Sequence, residues 1–503
     1  MYINLHSLLP LQLGGSIGAS LMGFVDAKFS PDAKRIVGHG YGGSIHFWTQ
    51  VLSTNARVET IEDESTTDDP AAEESFRTAV EEESHIMEQE QSEEIGVFEE
   101  PANADGNTEK SSEEVDEANM EYDEEEEEDA LVSARWVADP CITGHFRSVE
   151  DMAWDPNNGE YLLTTSSDQT TRLWTEVPVS NDPTQCRWVE VGRPQVHGYD
   201  MTSIVCIGGQ DNSTDNGEPS HRFVSGADEK VLRVFDAPSS TLRVLRSIKQ
   251  SRDAITQGDT QQPSNEELGN DSLWRVERAF MPSLGLSNKA TADADQESSK
   301  FAGPVNDDDL VQTLDTVNER STSLKYPNVE RDLAVTTLWP EARKLFGHES
   351  ELVCLTSYRA PPGKDEPSLV ASSCKARNDV ESAAIRLWDA KKGKCVGILK
   401  GGHRSTVSTM SFSVDGKYLV SSGKDRRICV WKKVNDPSRC AEEGAIYELS
   451  AAADTAHKRI IWSVHFCPKM PNILASGSRD GMVKLWRVNE VDDGSLDMKE
   501  LCR

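Results

Sequence analysis

Three short segments decide the fold: SSDQTTRLW (166–174), SGKDRRICVW (422–431) and SGSRDGMVKLW (476–486). In each segment an aspartate stands six positions before the tryptophan, in the pairs Asp168/Trp174, Asp425/Trp431 and Asp480/Trp486. A histidine lies 22 or 23 positions upstream of each aspartate, at His145, His403 and His457. Between them runs a turn followed by a strand-like stretch, such as FSVDGKYLVSS (412–422). Recurrence at a fixed spacing indicates a structural repeat.

Each repeat has the composition of a four-stranded β-propeller blade. Short runs rich in β-branched and aromatic residues alternate with Asp, Gly, Pro and Asn turns. The spaced histidine, Ser/Thr, aspartate and tryptophan predict a buried hydrogen-bond chain within each blade, because polar groups in an apolar interior need partners. An enzyme needs a catalytic His–Asp pair in one active site only, whereas this pair recurs in every well-preserved repeat. We therefore expect these residues to be structural.

Looser copies extend the series. His197 precedes FVSGADEKVLRVF (223–235), in which Glu229 takes the aspartate position and Phe235 replaces the tryptophan. His348 precedes AAIRLWDA (383–390), which contains Trp388 and follows a lengthened hairpin. The first copy, residues 24–48, has glycine at the aspartate position. About six blades are recognisable, and the sequence predicts an all-β protein of WD40 propeller blades.

The repeats divide the chain into six predicted regions. These are a blade remnant (1–50), an acidic insertion (51–130), blades of a first propeller (131–237), an inter-propeller connection with irregular strands (238–335), blades of a second propeller (336–490) and a C-terminal tail (491–503). The insertion carries 31 Asp and Glu against 3 Lys and Arg, which accounts for most of the net charge of −34. Such a composition predicts disorder.

Several stretches go beyond the generic blade pattern. GHFRSVEDMAWDPNNGEYLLTTSSDQTTRLW (144–174), RPQVHGYD (193–200), LGLSNKA (284–290), LWPEARKLFGHE (338–349), ASSCKA (371–376) and KRIIWSVHF (458–466) resemble, in order, the Elongator complex protein 2 family. The resemblance runs from about residue 10 to residue 488 and skips the acidic insertion.

The resemblance implies two seven-bladed propellers in tandem within the Elongator core, which modifies wobble uridines in tRNA anticodons. It implies a non-catalytic scaffold whose partners are the large scaffold subunit and the catalytic radical-SAM and acetyltransferase subunit. It also implies a cytoplasmic and nuclear location. Six blades are too few for two such rings, so we expect incomplete rings and a piece of a longer protein.

An enzymatic reading finds no support in the motifs. The sequence contains no GxxxxGK[ST], GxSxG or HExxH pattern and no CxxC pair, so we expect no catalytic residue, cofactor or metal site. No stretch approaches the ~20 apolar residues that span a bilayer, so we expect no membrane partner. Because the catalytic motifs are missing, we also expect no small-molecule substrate.

Two alternative functions remain open. One is a generic WD40 adaptor, or a histone- or chromatin-associated scaffold that uses the acidic tract to attract basic partners. The other is weak contact with tRNA through basic clusters, namely Lys391, Lys392, Lys394 and Arg404, then Lys424, Arg426, Arg427, Lys432 and Lys433. For both features the alternative without a binding role is that the charges only keep the protein surface soluble.

Overall fold

The computed structural model describes residues 24–53, 133–179, 182–207, 221–257, 276, 278–280, 288–290, 330–360, 368–377, 379–389, 391–434, 446–491 and 496–502. The predicted disorder of residues 51–130 falls almost entirely outside these ranges. The described chain is nearly all β and forms six antiparallel sheets of four or five strands, which confirms the predicted fold class.

Blades one to three come first along the chain. Blade one consists of β1 (Phe24–Phe29), β2 (Arg35–Gly40), β3 (Ser44–Ser53), β4 (Ser133–Ala138) and β5 (Ile142–Thr143). Blade two consists of β6 (Val149–Trp154), β7 (Tyr161–Ser166), β8 (Thr170–Val179) and β9 (Asp182–Val196). Blade three begins with β10 (Met201–Ile207), β11 (Arg222–Ala227) and β12 (Val231–Asp236). In each sheet the strands follow one another as an antiparallel meander.

A longer connection then interrupts blade three. It holds helix α1 (Ser239–Gln257), the two-stranded pair β13 (Ala279–Phe280) and β14 (Lys289–Ala290), and helix α2 (Glu330–Thr336). The next strand, β15 (Glu341–Phe346), pairs with β12 and supplies the fourth strand of blade three. Residues 238–335 therefore connect two strands of one blade here, which differs from the predicted inter-propeller boundary at 336.

Blades four to six complete the array. Blade four consists of β16 (Leu352–Tyr358), β17 (Leu369–Cys374), β18 (Ile385–Asp389) and β19 (Lys394–Leu399). Blade five consists of β20 (Val407–Phe412), β21 (Tyr418–Gly423), β22 (Ile428–Lys433) and β23 (Tyr447–Ala453). Blade six consists of β24 (Ile461–Phe466), β25 (Ile473–Ser478), β26 (Val483–Glu490) and β27 (Leu496–Cys502). The predicted C-terminal tail thus contains the outer strand of blade six.

The hydrophobic core lies between neighbouring blades. Second strands such as β7, β17 and β21 are buried at every residue because another blade packs on each face. Five apolar clusters join blades one and two, two and three, three and four, four and five, and five and six. Fourth strands such as β27 alternate buried and exposed residues. The blades therefore stack in chain order, each stabilised by the burial of apolar surface against the next.

A partly buried ion pair ties the first three blades together. The Lys28 ammonium donates to Asp151 Oδ1 at 2.5 Å and to the Met152 carbonyl at 2.6 Å. The other carboxylate oxygen of Asp151 accepts the Ile204 N–H at 2.9 Å. Burial alone lowers the pKa of Lys28, but Asp151 and Asp26 raise it above its ordinary value, which keeps the amine charged.

Candidate functional site

The connections between strands lie at two opposite edges of each blade, where the strands begin and end, and the two edges carry different kinds of connection. In an antiparallel meander, the first-to-second and third-to-fourth connections lie at one edge of the sheet. The second-to-third connections and those leading to the next blade lie at the other. The predicted histidines and acidic residues all lie in connections of the second kind. We call the edge that they share the network face, and the opposite edge the insertion face.

Blade two holds a complete network. His145 Nδ1 lies 2.8 Å from Asp168 Oδ2, and His145 Nε2 lies 2.8 Å from Thr164 Oγ1. The Trp174 indole N–H also donates to Thr164 Oγ1 at 2.8 Å. The free oxygen of Asp168 accepts the backbone N–H and the hydroxyl of Thr170 at 3.1 and 2.6 Å. The network thus fixes the turn between β7 and β8 against the loop before β6.

Burial sets the charge state of this network. It raises the pKa of Asp168 by itself, but the hydrogen bond and charge of His145 and the contact with Thr170 hold that pKa far below its usual range. Burial lowers the pKa of His145, and the nearby Arg172 guanidinium lowers it further, so Asp168 does not restore it to its ordinary value. The imidazole is therefore neutral at pH 7.

Blade five repeats the geometry. His403 lies 2.9 Å from Asp425 through Nδ1 and 2.8 Å from Ser421 Oγ through Nε2, and the Trp431 indole donates to the same hydroxyl at 2.8 Å. Although burial lowers the pKa of His403, the hydrogen bond to Asp425 and the contact with Cys429 raise it to about 9. This imidazole is therefore protonated at pH 7.

Blade six is the third complete copy. His457 contacts Asp480 at 3.2 Å and Ser476 at 2.7 Å, and the Trp486 indole donates to Ser476 at 2.8 Å. Burial raises the pKa of Asp480, but the backbone N–H groups of Met482 and Lys458, together with His457, lower it to about 2. All three strong repeats thus place the four predicted residue types in contact.

In blade three a glutamate replaces the aspartate, and the histidine contacts it through its other ring nitrogen. His197 uses Nε2, rather than Nδ1, to contact Glu229 at 3.1 Å, and Arg233 Nε donates to the same carboxylate at 2.7 Å. Burial raises the pKa of Glu229, but these two partners bring it down to about 2. At the tryptophan position, Phe235 stacks on Phe223 with 4.8 Å between ring centroids. Here an ion pair and a ring stack replace the hydrogen-bond chain.

Blades four and one lack the carboxylate. His348 Nε2 lies 2.7 Å from Ser372 Oγ, which also accepts the Trp388 indole N–H at 2.7 Å. Its Nδ1 is buried without a partner, and burial lowers the pKa of His348 to about 4. In blade one the loop before β1 lies outside the described residues, and His39, which belongs to the second strand β2, lies 2.6 Å through Nδ1 from the Val149 carbonyl of blade two. The 14 predicted residues are therefore separated into individual blades and do not converge on one cleft.

The arrangement suits anchoring better than catalysis. The histidines and carboxylates of blades two, five and six are almost wholly buried and use their hydrogen-bonding atoms within their own blade. Among the described residues, no group of three His, Cys, Asp or Glu side chains is placed to hold a metal ion. No helix in the described part of the chain is long and apolar enough to cross a membrane.

Sequence reasoning missed a second buried layer in blade two. Arg172 donates to Glu190 at 2.9 Å, and Glu190 also accepts Arg193 Nε at 2.7 Å. Arg193 reaches Glu330 of α2 at 2.6 Å. The available signal was the arginine two positions before Trp174. Buried charges of this kind persist only when paired.

Comparison with known proteins places this geometry in a family. The domain described as "WD domain, G-beta repeat" matches residues 139–175, 393–432 and 451–487. Elongator complex protein 2 of Schizosaccharomyces pombe is 35% identical over 373 residues, which cover 74% of this chain and 40% of that protein. Elongator complex protein 2 of Homo sapiens is 30% identical over 490 residues, which cover 96% of this chain and 45% of that protein.

Solved structures match at lower similarity. The structure of U3-55K aligns with a TM-score of 0.43 and 11% sequence identity, covering 96% of this chain and 83% of that one. The chain spans less than half the length of the curated relatives it matches. Within that span the predicted resemblance is confirmed: this is a WD40-repeat β-propeller chain of the Elongator complex protein 2 family.

Proposed function

We propose that this chain is a non-catalytic scaffold subunit of the Elongator complex, required for its assembly and for wobble-uridine modification of tRNA. The observation that carries the proposal is the alignment with human Elongator complex protein 2, which covers 96% of this chain at 30% identity. The link to the Elongator complex rests on the names of these relatives. The separation of the buried networks into individual blades supports a scaffold over an enzyme.

Rigid connections are the physical basis of the proposed role. A buried network holds its turn at several hydrogen bonds, as Asp168 does with His145 and Thr170. A surface built on such turns loses little conformational entropy when a partner docks. Holding two partners on one rigid body raises the effective concentration of each for the other. The scaffold would therefore assist catalysis that takes place in another subunit.

The proposed partners are the other Elongator subunits, namely the large scaffold subunit and the catalytic radical-SAM and acetyltransferase subunit. A cytoplasmic and nuclear location is proposed with them. The proposal assigns no cofactor and no small-molecule substrate to this chain.

The test combines assembly with the RNA product. In cells lacking the gene, we expect wobble-uridine side chains to disappear from tRNA nucleosides measured by mass spectrometry. Re-expressed tagged protein should restore them and should capture Elongator subunits in a pull-down. The Trp174→Ala/Trp431→Ala double variant removes two network anchors and should restore neither.

The matched control is Lys394→Ala, which changes an exposed side chain on the insertion face. It should behave as the unaltered protein does in both measurements. Normal wobble-uridine modification in the deletion strain, with no Elongator subunit in the pull-down, would contradict the proposal and favour a generic WD40 adaptor.

A further inference from the structure

The network face of blades five and six carries a concentration of positive charge. Seven exposed basic residues lie in the four connections that form this part of the face, at 400–406, 424–427, 454–460 and 479–482, and Lys400 among them pairs with Glu381 at 2.8 Å, which leaves six. They are Arg404, Lys424, Arg426, Lys458, Arg459 and Arg479. This positive patch stands out in a chain whose net charge is −34.

Backbone hydrogen bonds hold the patch together. Within blade five, Lys424 N–H donates to the Thr406 carbonyl at 3.1 Å. Within blade six, Arg479 N–H donates to the Ile460 carbonyl at 2.9 Å. The Arg426 carbonyl accepts the Ala456 N–H at 3.2 Å, which joins the two blades. The six residues therefore belong to one connected surface.

The carboxylates within these connections are already engaged. Asp425 and Asp480 are held in the buried networks, and Asp454 pairs with Arg427 at 2.7 Å. Among the described residues, no carboxylate lies within 4.0 Å of the side-chain nitrogens of the six basic residues. The patch thus presents uncompensated cations to solvent, which is the electrostatic footprint of a polyanion site.

An exposed aromatic ring stands beside these cations. Trp462 is 54% exposed although it belongs to the first strand of blade six. It lies at a register shift between Ile461 and Ser463, and a bulge of this kind re-aims a side chain. The Ile461 carbonyl accepts the Ser408 hydroxyl at 2.8 Å, so the backbone next to Trp462 adjoins blade five. The equivalent positions of blades two to five hold Glu150, Thr202, Val353 and Ser408.

Cations beside an unshielded indole match the chemistry of unpaired RNA. Lysine and arginine neutralise phosphates, and an aromatic face stacks on an unpaired base. A fully paired duplex offers the phosphates but no free base, and an acidic polypeptide offers charge without bases. We infer that the network face of blades five and six binds a single-stranded stretch of RNA, with the six basic residues on the phosphates and Trp462 stacked on a base. This interaction goes beyond the scaffold role and needs no other subunit.

The test uses the purified full chain and fluorescence anisotropy. The probes are a fluorescein-labelled RNA hairpin with an unpaired loop, a fully paired RNA of equal length, and a labelled polyglutamate peptide. We expect the hairpin to bind more tightly than the other two, with an affinity that falls as salt rises. Arg426→Glu/Lys458→Glu/Arg459→Glu should weaken hairpin binding by at least about tenfold and flatten its salt dependence.

A charge-matched control lies on the other edge of the blades. Lys391→Glu/Lys392→Glu/Lys394→Glu makes the same charge change on the insertion face, and we expect it to leave hairpin binding within about twofold of the unaltered chain. Trp462→Ala should weaken hairpin binding by about fivefold to a hundredfold, with the salt dependence and the duplex affinity unchanged. Circular dichroism of each variant establishes that it is folded.

Three outcomes would overturn the inference: no hairpin binding by the unaltered chain, equal loss from both triple variants, or polyglutamate binding at least as tight as hairpin binding. The last would assign the patch to an acidic protein. Because the measurement uses the isolated chain, its failure leaves the Elongator proposal standing. Conversely, loss of Elongator capture in cells would leave the RNA inference standing.

Discussion

Blades two and five contain the same four residue types at the same spacing, yet their histidines differ in charge. The contacts agree to within about 0.1 Å: 2.8 Å in blade two and 2.9 Å in blade five from histidine to aspartate, and 2.8 Å in both from histidine to hydroxyl. The difference lies two positions before the tryptophan, where blade two has Arg172 and blade five has Cys429. In both blades the aspartate of the motif raises the pKa of the histidine, but Arg172 lowers the pKa of His145 whereas Cys429 raises that of His403 further.

The largest expected effect comes from removing the carboxylate of blade two. Asp168→Ala leaves His145 and the hydroxyl of Thr170 without their acceptor and removes a negative charge 3.5 Å from buried Arg172. We expect a loss of about 3–5 kcal/mol in the free energy of unfolding. Asp425→Ala breaks the pair with the protonated His403, but that imidazole can release its proton whereas Arg172 cannot, so we expect a smaller cost of about 1–3 kcal/mol. Urea unfolding of both variants measures the difference, and equal costs would remove the role given to Arg172.

The two blades should respond to pH in opposite directions. His403 has its pKa raised from 6.5 to about 9, so its stabilising contribution is complete below pH 6.5 and is lost as the pH rises through 9. His145 has a lowered pKa, so its protonation opposes folding as the pH falls below 6.5. Unfolding midpoints from pH 5 to pH 10 test this for His403→Gln and His145→Gln. The first variant should flatten the alkaline limb and the second the acidic limb.

Exchanging the neighbour sharpens the comparison. Arg172→Cys gives blade two the residue of blade five, while Arg193 still pairs with Glu190. Because the guanidinium lowers the pKa of His145, its removal should raise that pKa. Carbon-13 labelling of histidine and an NMR titration give the value directly. Lys484→Cys in blade six serves as the control, and His145 should not respond to it.

The smallest effect concerns the indole donor. Trp431→Phe removes the N–H that reaches Ser421 but leaves that hydroxyl in contact with His403. Since no buried group loses its last partner, we expect a loss of about 1 kcal/mol. Trp174→Phe in blade two should cost a similar amount, measured by urea unfolding. A cost in blade five several times larger would mean that the protonated His403 depends on the indole.

The three strong repeats could be predicted because each carries its four residue types at fixed offsets. The fourth strand of blade three could not, since EARKLF in β15 alternates charged and apolar residues weakly. The length of chain between β12 and β15 did not indicate whether the two strands pair, because the entropic cost of closing a loop grows only slowly with its length. The chain of residues 238–335 therefore looked like a link between domains.

Helix α1 was missed although its signal is present. Leu242, Leu245 and Ile248 recur every third residue and pack into the core shared by blades two and three. This apolar stripe is short and lies among Lys and Arg residues, so the low mean hydropathy of the segment obscures it in the sequence. The charge of each histidine could not be predicted from the sequence, for a different reason. It depends on burial and on a neighbour across the strand, and both become visible only in three dimensions.

The placement of long connections at one edge has a practical consequence for anyone who handles this protein. The described strands on either side of residues 208–220, 361–367 and 435–445 are first and second or third and fourth strands of a blade, so the strand ends that these residues join lie on the insertion face. A fluorescent reporter or an affinity handle spliced into the 435–445 connection would therefore project away from the network face. Such a fusion allows the protein to be immobilised in a known orientation, with the positive patch turned toward the solution.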